Sequence, residues 1–469
     1  MNKSLYVVIV AAVLAACSSP TNREERIGAD DPVKKLAISE NGRYFMTEDK
    51  EPFFWLGDTG WLLFSKLNRE EADQYLEDRR AKGFNVIQVM VLHGVGAVNA
   101  YGDSALVNKD VARPKVTEGS SFEDSLQYDF WDHVDYMVDK AAEKGMYMAL
   151  VPVWGSNVKA GFVNQSQGAT YAGWLAARYK GRPNIIWLNG GDIKGSDSVE
   201  VWRKIGYTIR EKDPNHLITF HPRGRTQSST WFHGEPWLDF NMFQSGHRRY
   251  DQDTSAKELR YGEDNWKYVA VDYKMSPTKP TLDGEPSYEG IPQGLHDTLQ
   301  PVWKDRDVRR YGYWSVFSGA SGYTYGNNSV MQMHKPTDTG SAYGARGTWD
   351  EAIKDPGAGQ MVHLKQLLLS RPYFERVPDQ SLIAEQGDKY DYQVATRGKD
   401  YAFIYSYNGR NLKVNMGKIA GDRVKASWFD PRTGKITASG EFPNTGVTEF
   451  NPPGKPQDGN DWVLVLDKK

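Results

Sequence analysis

The chain has 469 residues, a formal net charge of −2, 39% hydrophobic and 25% charged residues, and a single cysteine. That length buries a large core and suffices for two domains, the near-neutral charge excludes a nucleic-acid binder, and one cysteine excludes a disulfide within the chain. Fifteen Trp and 26 Tyr exceed what packing demands; rings with a polar handle suit flat, amphipathic ligands such as sugars, although a share of them is ordinary core.

The first element is a leader. Met1-Asn2-Lys3 is short and positively charged, Leu5 to Ala16 is apolar, and Leu14-Ala15-Ala16-Cys17 closes the run with small residues before the only cysteine. The apolar run is too short to span a bilayer comfortably. The pattern resembles a bacterial lipoprotein signal over residues 1–17, with Cys17 as the lipidated first residue of the mature protein. The expected location is therefore the bacterial cell envelope, with the membrane as a partner through the lipid on Cys17. A plain secretory signal or a buried helix is the alternative, and the position of the cysteine disfavours both. Residues 18–35, with Pro20, Arg23, Glu24, Glu25 and Asp30-Asp31, read as a polar tether.

From about Leu36 the signals alternate between strand and helix. Phe53 to Asp58 reads as a first buried strand, and Asn68 with Glu71 matches a capping box that opens a helix carrying Ala72, Tyr75, Leu76 and Arg79 on one face. Asn85 to Leu92 is a second strand. Phe130, Val134, Met137, Val138 and Ala141 mark an amphipathic helix that ends at Gly145, before a third strand over Met146 to Trp154. A helix near 170–179 leads to a fourth strand, Ile185-Ile186-Trp187-Leu188-Asn189-Gly190-Gly191-Asp192. A helix from about Ser198 follows, then strands at Leu217 to His221, Leu238 to Gln244, Pro280 to Glu285 and Gly322 to Gly326. Eight strands with helices between them predict a (β/α)8 barrel over residues 36–372. A doubly wound open sheet is the rival, but Gly94-Val95-Gly96-Ala97 lacks the rest of a dinucleotide fingerprint. Residues 373–469 change to short alternating strands with Gly, Asn and Pro turns, which predicts a small C-terminal antiparallel β-sandwich.

Two of the predicted strands end in an acid preceded by glycine, Gly191-Asp192 and Gly284-Glu285. Strand C-termini are where α/β folds place their chemistry, and cleavage between sugars needs two carboxyls, one to protonate the leaving oxygen and one to attack or to activate water. The bland reading is that each acid caps the following helix. Asp58, His93, Trp154, His221, Gln244, His247 and Tyr325 fall at other strand ends and are candidate substrate contacts around the same mouth, while Arg223, Arg225, Arg248 and Arg249 are candidates to meet sugar carboxylates. No His-Glu-x-x-His, cysteine cluster or calcium-loop spacing appears, so no metal or cofactor is expected, and no Gly-x-Ser-x-Gly elbow points to a serine hydrolase.

Gly57-Asp58-Thr59-Gly60-Trp61, Asn189-Gly190-Gly191-Asp192 and Leu282-Asp283-Gly284-Glu285-Pro286 with Tyr288-Glu289 resemble the apiosidase-like branch of barrel glycosidases, glycoside hydrolase family 140. The resemblance covers essentially the whole mature chain. It implies an oligo- or polysaccharide substrate, namely the apiose-linked side chain on the galacturonan backbone of the pectin rhamnogalacturonan II. It also implies Asp192 as acid catalyst and Glu285 as the second catalytic carboxylate; Asn189 and Tyr288, in the same motifs, join the candidate substrate contacts. The wider glycosidase clan usually carries Asn-Glu at the end of strand four, where this chain has Asn-Gly-Gly-Asp. Acids on strands four and seven favour a retaining mechanism. The reading of a different class is a non-catalytic glycan-binding lipoprotein, disfavoured because binding gains little from two carboxylates. Oligomeric state is not legible.

Overall fold

The computed structural model describes residues 33–254 and 259–469; the expected leader, Cys17 and most of the expected tether lie outside the described residues. Among these, eight parallel strands alternate with eight helices. The strands are β1 (Trp55–Thr59), β2 (Val86–Leu92), β3 (Tyr147–Val153), β4 (Ile185–Ile193), β5 (Ile218–Pro222), β6 (Asn241–Gln244), β7 (Thr281–Asp283) and β8 (Gly322–Tyr325). The helices that follow them in turn are α1 (Arg69–Ala81), α2 (Phe130–Glu143), α3 (Gln165–Tyr179), α4 (Val199–Lys212), α5 (Ser229–Phe232), α6 (Trp266–Asp272), α7 (Asp305–Phe317) and α8 (Pro356–Leu369). The helix starts are set locally. Asn68 accepts the Glu71 N–H at 2.8 Å while Glu71 accepts the Asn68 N–H at 2.9 Å, the reciprocal box that the spacing predicts.

The hydrogen-bonded order is β5-β4-β3-β2-β1-β8-β7-β6, and a ninth, two-residue strand, Thr226–Gln227, pairs antiparallel with β6 at its outer edge. β1 pairs with both β2 and β8, so the sheet curls round and is a barrel, not a doubly wound open sheet. β5 and β6 do not share a regular ladder. Their seam is bridged by the Asp239 N–H to the Ile218 carbonyl (2.8 Å), the Ile218 N–H to the Asp239 carboxylate (2.7 Å) and the Thr219 hydroxyl to the Phe240 carbonyl (2.6 Å).

Side chains alternate along each strand. Trp55, Ile186, Leu188, Met242 and Leu282 fill one buried cluster inside the barrel, whereas Ile87, Val89, Val91 and Trp187 belong to the layer between sheet and helices. A three-stranded antiparallel sheet (Leu36–Ile38, Phe45–Thr47, Pro52–Phe53) plugs the end of the barrel where the strands begin, with Phe45 edge-on to Phe240 at 5.0 Å. Gln88 is a polar member of the interior, beside Thr324. Its amide donates to the Gly284 carbonyl at 2.8 Å and so holds the chain just before Glu285.

The C-terminal strands form a six-stranded antiparallel sheet, in the order Val377–Pro378, Gln393–Arg397, Tyr401–Ser406, Trp462–Lys468, Arg423–Phe429, Ile436–Pro443, and a two-stranded one from Leu412–Asn415 and Val447–Phe450. Ile404, Leu412, Val414, Trp428, Phe450 and Leu464 are buried together. The domain docks on α7. Tyr313 stacks on Tyr405 at 4.7 Å, and buried Arg309 grips buried Asp461 with two bonds of 2.9 and 2.8 Å. The short strands Val377–Pro378 and Val447–Phe450 escape the sequence pattern.

Candidate active site

β4 ends in an irregularity between Gly190 and Ile193, where its ladder to β5 slips. Gly190, Gly191 and Asp192 all hold positive φ, at 94°, 104° and 46°. A Cβ on Gly190 would sit 2.7 Å from the His221 carbonyl oxygen, and one on Gly191 would sit 2.5 Å from the Trp154 ring; only glycine fits either place. The paired glycines therefore roll Asp192 over the barrel mouth. The helix that follows begins at Val199 after Ser198, so Asp192 caps nothing.

β7 stops at Asp283. Gly284 is there for a close approach, since its Cβ would lie 2.6 Å from the Met242 sulfur, and Glu285 turns into the same mouth. The next helix, α7, begins only at Asp305, so Glu285 is no cap either.

Two histidines hold Glu285. His247 Nε2 lies 3.4 Å from Oε1, and His221 Nε2 lies 3.2 Å from Oε2; the second contact is close but poorly aligned, and neither of its atoms has another partner. The opposite ring nitrogens fix the tautomers. His221 Nδ1 accepts the N–H of Asp192 itself, and His247 Nδ1 accepts the N–H of Tyr288, both at 3.3 Å. With Nδ1 occupied as an acceptor, the ring proton resides on Nε2 in both rings and points at the carboxylate.

The electrostatics separate the two acids. Asp192 reaches the cleft surface, yet the walls around it exclude most of its water. That burial, followed by the negative charge of Glu285, pushes its carboxyl up to about 6. Burial acts on Glu285 in the same direction, but the hydrogen-bonding contacts from His221 and His247 outweigh it and hold the carboxyl well below the usual range. One group keeps its proton in mildly acidic solution while the other stays ionised, the division of labour that glycosidic cleavage requires.

The cleft between them has a volume of about 410 Å³. Of the residues expected there, Asp192, Glu285, His93, Trp154, Gln244, His247 and Tyr288 line it, as do Arg223, Arg225 and Arg248. His221 stands behind Glu285, packed edge-on against Trp61 at 5.2 Å. Arg249 points elsewhere, to Asp251 and to Gln293 and Gln300.

Three expected contacts are corrected. Asp58 is fully buried on the helix side of β1, where its carboxylate takes the Tyr75 hydroxyl and the Arg79 guanidinium, both at 2.6 Å. Asn189 donates to the Trp202 carbonyl at 2.7 Å, and the Tyr325 hydroxyl donates to Glu289 at 2.6 Å. All three occupy the outward phase of their strands and serve the sheet–helix layer, so they do not reach the substrate. Sequence reasoning also missed Trp61, Leu295, His296, Gln332 and Tyr343, which line the cleft. The last four come from the long loops after β7 and β8, and loop length on this face of a barrel is the signal that points to them. Among the described residues, no group of three or more His, Cys, Asp or Glu is placed to hold a metal ion.

Residues 39–375 match the model of the "Apiosidase-like, catalytic domain", and residues 377–467 match a "Putative collagen-binding domain of a collagenase". A solved structure named "Glycoside hydrolase" is 48% identical, with a TM-score of 0.88 over 93% of this chain and 97% of its own. A glycoside hydrolase family 5 structure from Bacteroides vulgatus is 45% identical, with a TM-score of 0.87 over 92% of this chain and 93% of its own. Comparison with curated proteins finds no match.

Proposed function

The chain belongs to the apiosidase-like glycoside hydrolases, and from that premise we propose that it cleaves the link between an apiose-bearing side chain and the galacturonan backbone of rhamnogalacturonan II, with retention of configuration. As a glycoside hydrolase it acts on a carbohydrate, so the non-catalytic reading is set aside. In the proposed reaction Asp192 gives its proton to the leaving oxygen while Glu285 attacks the anomeric carbon, forming a glycosyl-enzyme ester. Asp192, now ionised, takes a proton from water; that water attacks the anomeric carbon and the Glu285 carboxylate departs. The observation that carries the assignment is the opposed protonation of the two acids in one cleft, Asp192 raised and Glu285 lowered. The cleft arginines Arg223 and Arg248 suit the galacturonate carboxylates of such a backbone.

The test is incubation with a panel of pectic and algal oligosaccharides, with product masses and the anomeric NMR signal of the first-formed product read out. Product from rhamnogalacturonan II fragments in the retained configuration supports the reading. Product from an unrelated glycan moves the substrate, and an inverted product assigns Glu285 to water activation.

We also propose that the mature chain is held at the bacterial envelope by lipid on Cys17, on the strength of the leader pattern. Cys17→Ala should leave the membrane fraction; undiminished membrane association would dismiss the anchor.

A further inference from the structure

Ten non-glycine residues among the described ones hold a left-handed backbone, and four of them, Asp192, Arg225, Leu295 and Tyr343, line the catalytic cleft. Conformations of this kind persist only where the surroundings over-determine them, and they gather at functional sites. Asp192 has its role, and Arg225 is fixed by an ion pair to Asp253 at 2.7 Å. Leu295 (φ 78°) and Tyr343 (φ 54°) have no part in the chemistry described above.

They sit on different loops, and each loop is built to hold its residue. The Tyr343 carbonyl accepts the Asn328 amide at 3.0 Å. Gln332 clasps the neighbouring Ala342 on both sides, accepting its N–H at 2.7 Å and donating to its carbonyl at 3.1 Å. A Cβ on Gly344 would lie 2.7 Å from the Thr298 methyl, so the β8 loop is pressed against the β7 loop, and the His296 ring meets Tyr343 at 5.7 Å. The Leu295 N–H is tied to the Pro292 carbonyl at 2.8 Å. Both side chains remain half-buried. Burial, then the charges of Asp192 and Glu285, raise the Tyr343 phenol.

We propose that Tyr343 and Leu295 are specificity-determining residues: they form the platform on which the C–H face of the sugar spanning Asp192 and Glu285 stacks. An aromatic ring beside an aliphatic side chain selects a sugar with an apolar face, and the two clasped loops set the angle at which that face is presented. The inference rests on the catalytic assignment of the acids, and not on the apiose linkage.

The experiment compares Tyr343→Gly and Tyr343→Phe with the parent enzyme for kcat, KM and thermal melting. Kinetics are run on rhamnogalacturonan II oligosaccharides. Should the parent not cleave these, which would sink the apiose reading alone, they are run on the pectic or algal glycan that it does cleave. Glycine adopts the left-handed conformation without strain, so Tyr343→Gly should melt at or above the parent temperature while KM rises at least tenfold. Tyr343→Phe, which keeps the ring, should stay within threefold of the parent. An unchanged KM in Tyr343→Gly, or a KM rise accompanied by lower melting, overturns the proposal, the second because it marks a structural role. Failure of the acid assignment is seen separately, as activity surviving in Asp192→Asn or Glu285→Gln.

Discussion

His221 touches both proposed catalytic acids, receiving the Asp192 N–H on one nitrogen and facing Glu285 with the other. In His221→Ala the carboxylate loses one of its two N–H contacts. A hydrogen bond to a charged group contributes about 1.5–3 kcal/mol, and the poor alignment at 3.2 Å puts this one at the lower end. At about 1.4 kcal/mol per pKa unit, the Glu285 carboxyl should rise by about one unit. The sign is definite: Glu285 must be ionised to attack, so activity grows as pH rises through its pKa, and a higher pKa moves the acid limb of the profile to higher pH. The assay is kcat/KM from pH 3 to 9 on a glycan the parent cleaves. The acid limb should shift upward by about one unit, with about a tenfold loss at the optimum and a larger loss at low pH. His221→Gln, whose amide can still donate, should recover part of the shift. A uniform fall in rate with the acid limb unmoved would refute the reasoning and make His221 a substrate contact.

Asp192→Asn and Glu285→Gln should each lower kcat by at least about 10²–10⁴-fold with melting temperatures near the parent; near-normal turnover in either removes the pair from catalysis. Asp283, buried with Ser245 and Asn265, has its carboxyl raised to about 7 by burial. The folded state therefore binds this proton more tightly, and the contribution is present at low pH and lost as pH climbs toward 7, with a slope of up to about 1.4 kcal/mol per unit. Denaturant melts at pH 4.5 and 7.5 should show a smaller difference for Asp283→Asn than for the parent; an equal difference speaks against it. Arg309→Ala strands the buried Asp461 and should cost about 3–5 kcal/mol in urea unfolding, whereas a loss under 1 kcal/mol would mean that the domain junction does not depend on the pair.

The barrel was legible because its strands are apolar runs punctuated by glycine and three of its helices begin with capping boxes, both of which are local signals. That Asp192 and Glu285 meet in one cleft was legible because a glycine before a strand-end acid marks a backbone about to turn. Asp58 carries the same signature and was misplaced. Its true partner was visible, since Arg79 shares the buried face of α1 with Ala72, Tyr75 and Leu76, and a buried guanidinium requires a carboxylate. Strand phase also separates the two groups. His221 and Gln244 share the inward phase of Thr219 and Met242, while Asn189 and Tyr325 share the outward phase of Trp187 and Tyr323. The platform from the β7 and β8 loops was not legible, because its residues meet through a loop-to-loop contact that no local period encodes.

The seam between β5 and β6 gives the barrel the mechanics of a split ring. Seven junctions are ladders of backbone bonds; at the eighth, three polar contacts join β5 to β6 and the short strand Thr226–Gln227 that follows β5 lies antiparallel along β6. A split ring opens at its split, and the strands at this split, β5 and β6, are paired in turn to β4 and β7, the strands that lead to Asp192 and Glu285. Any radial breathing of the barrel is therefore converted into a change in the gap between the two carboxyls, the dimension on which the stereochemical course of a glycosidase depends.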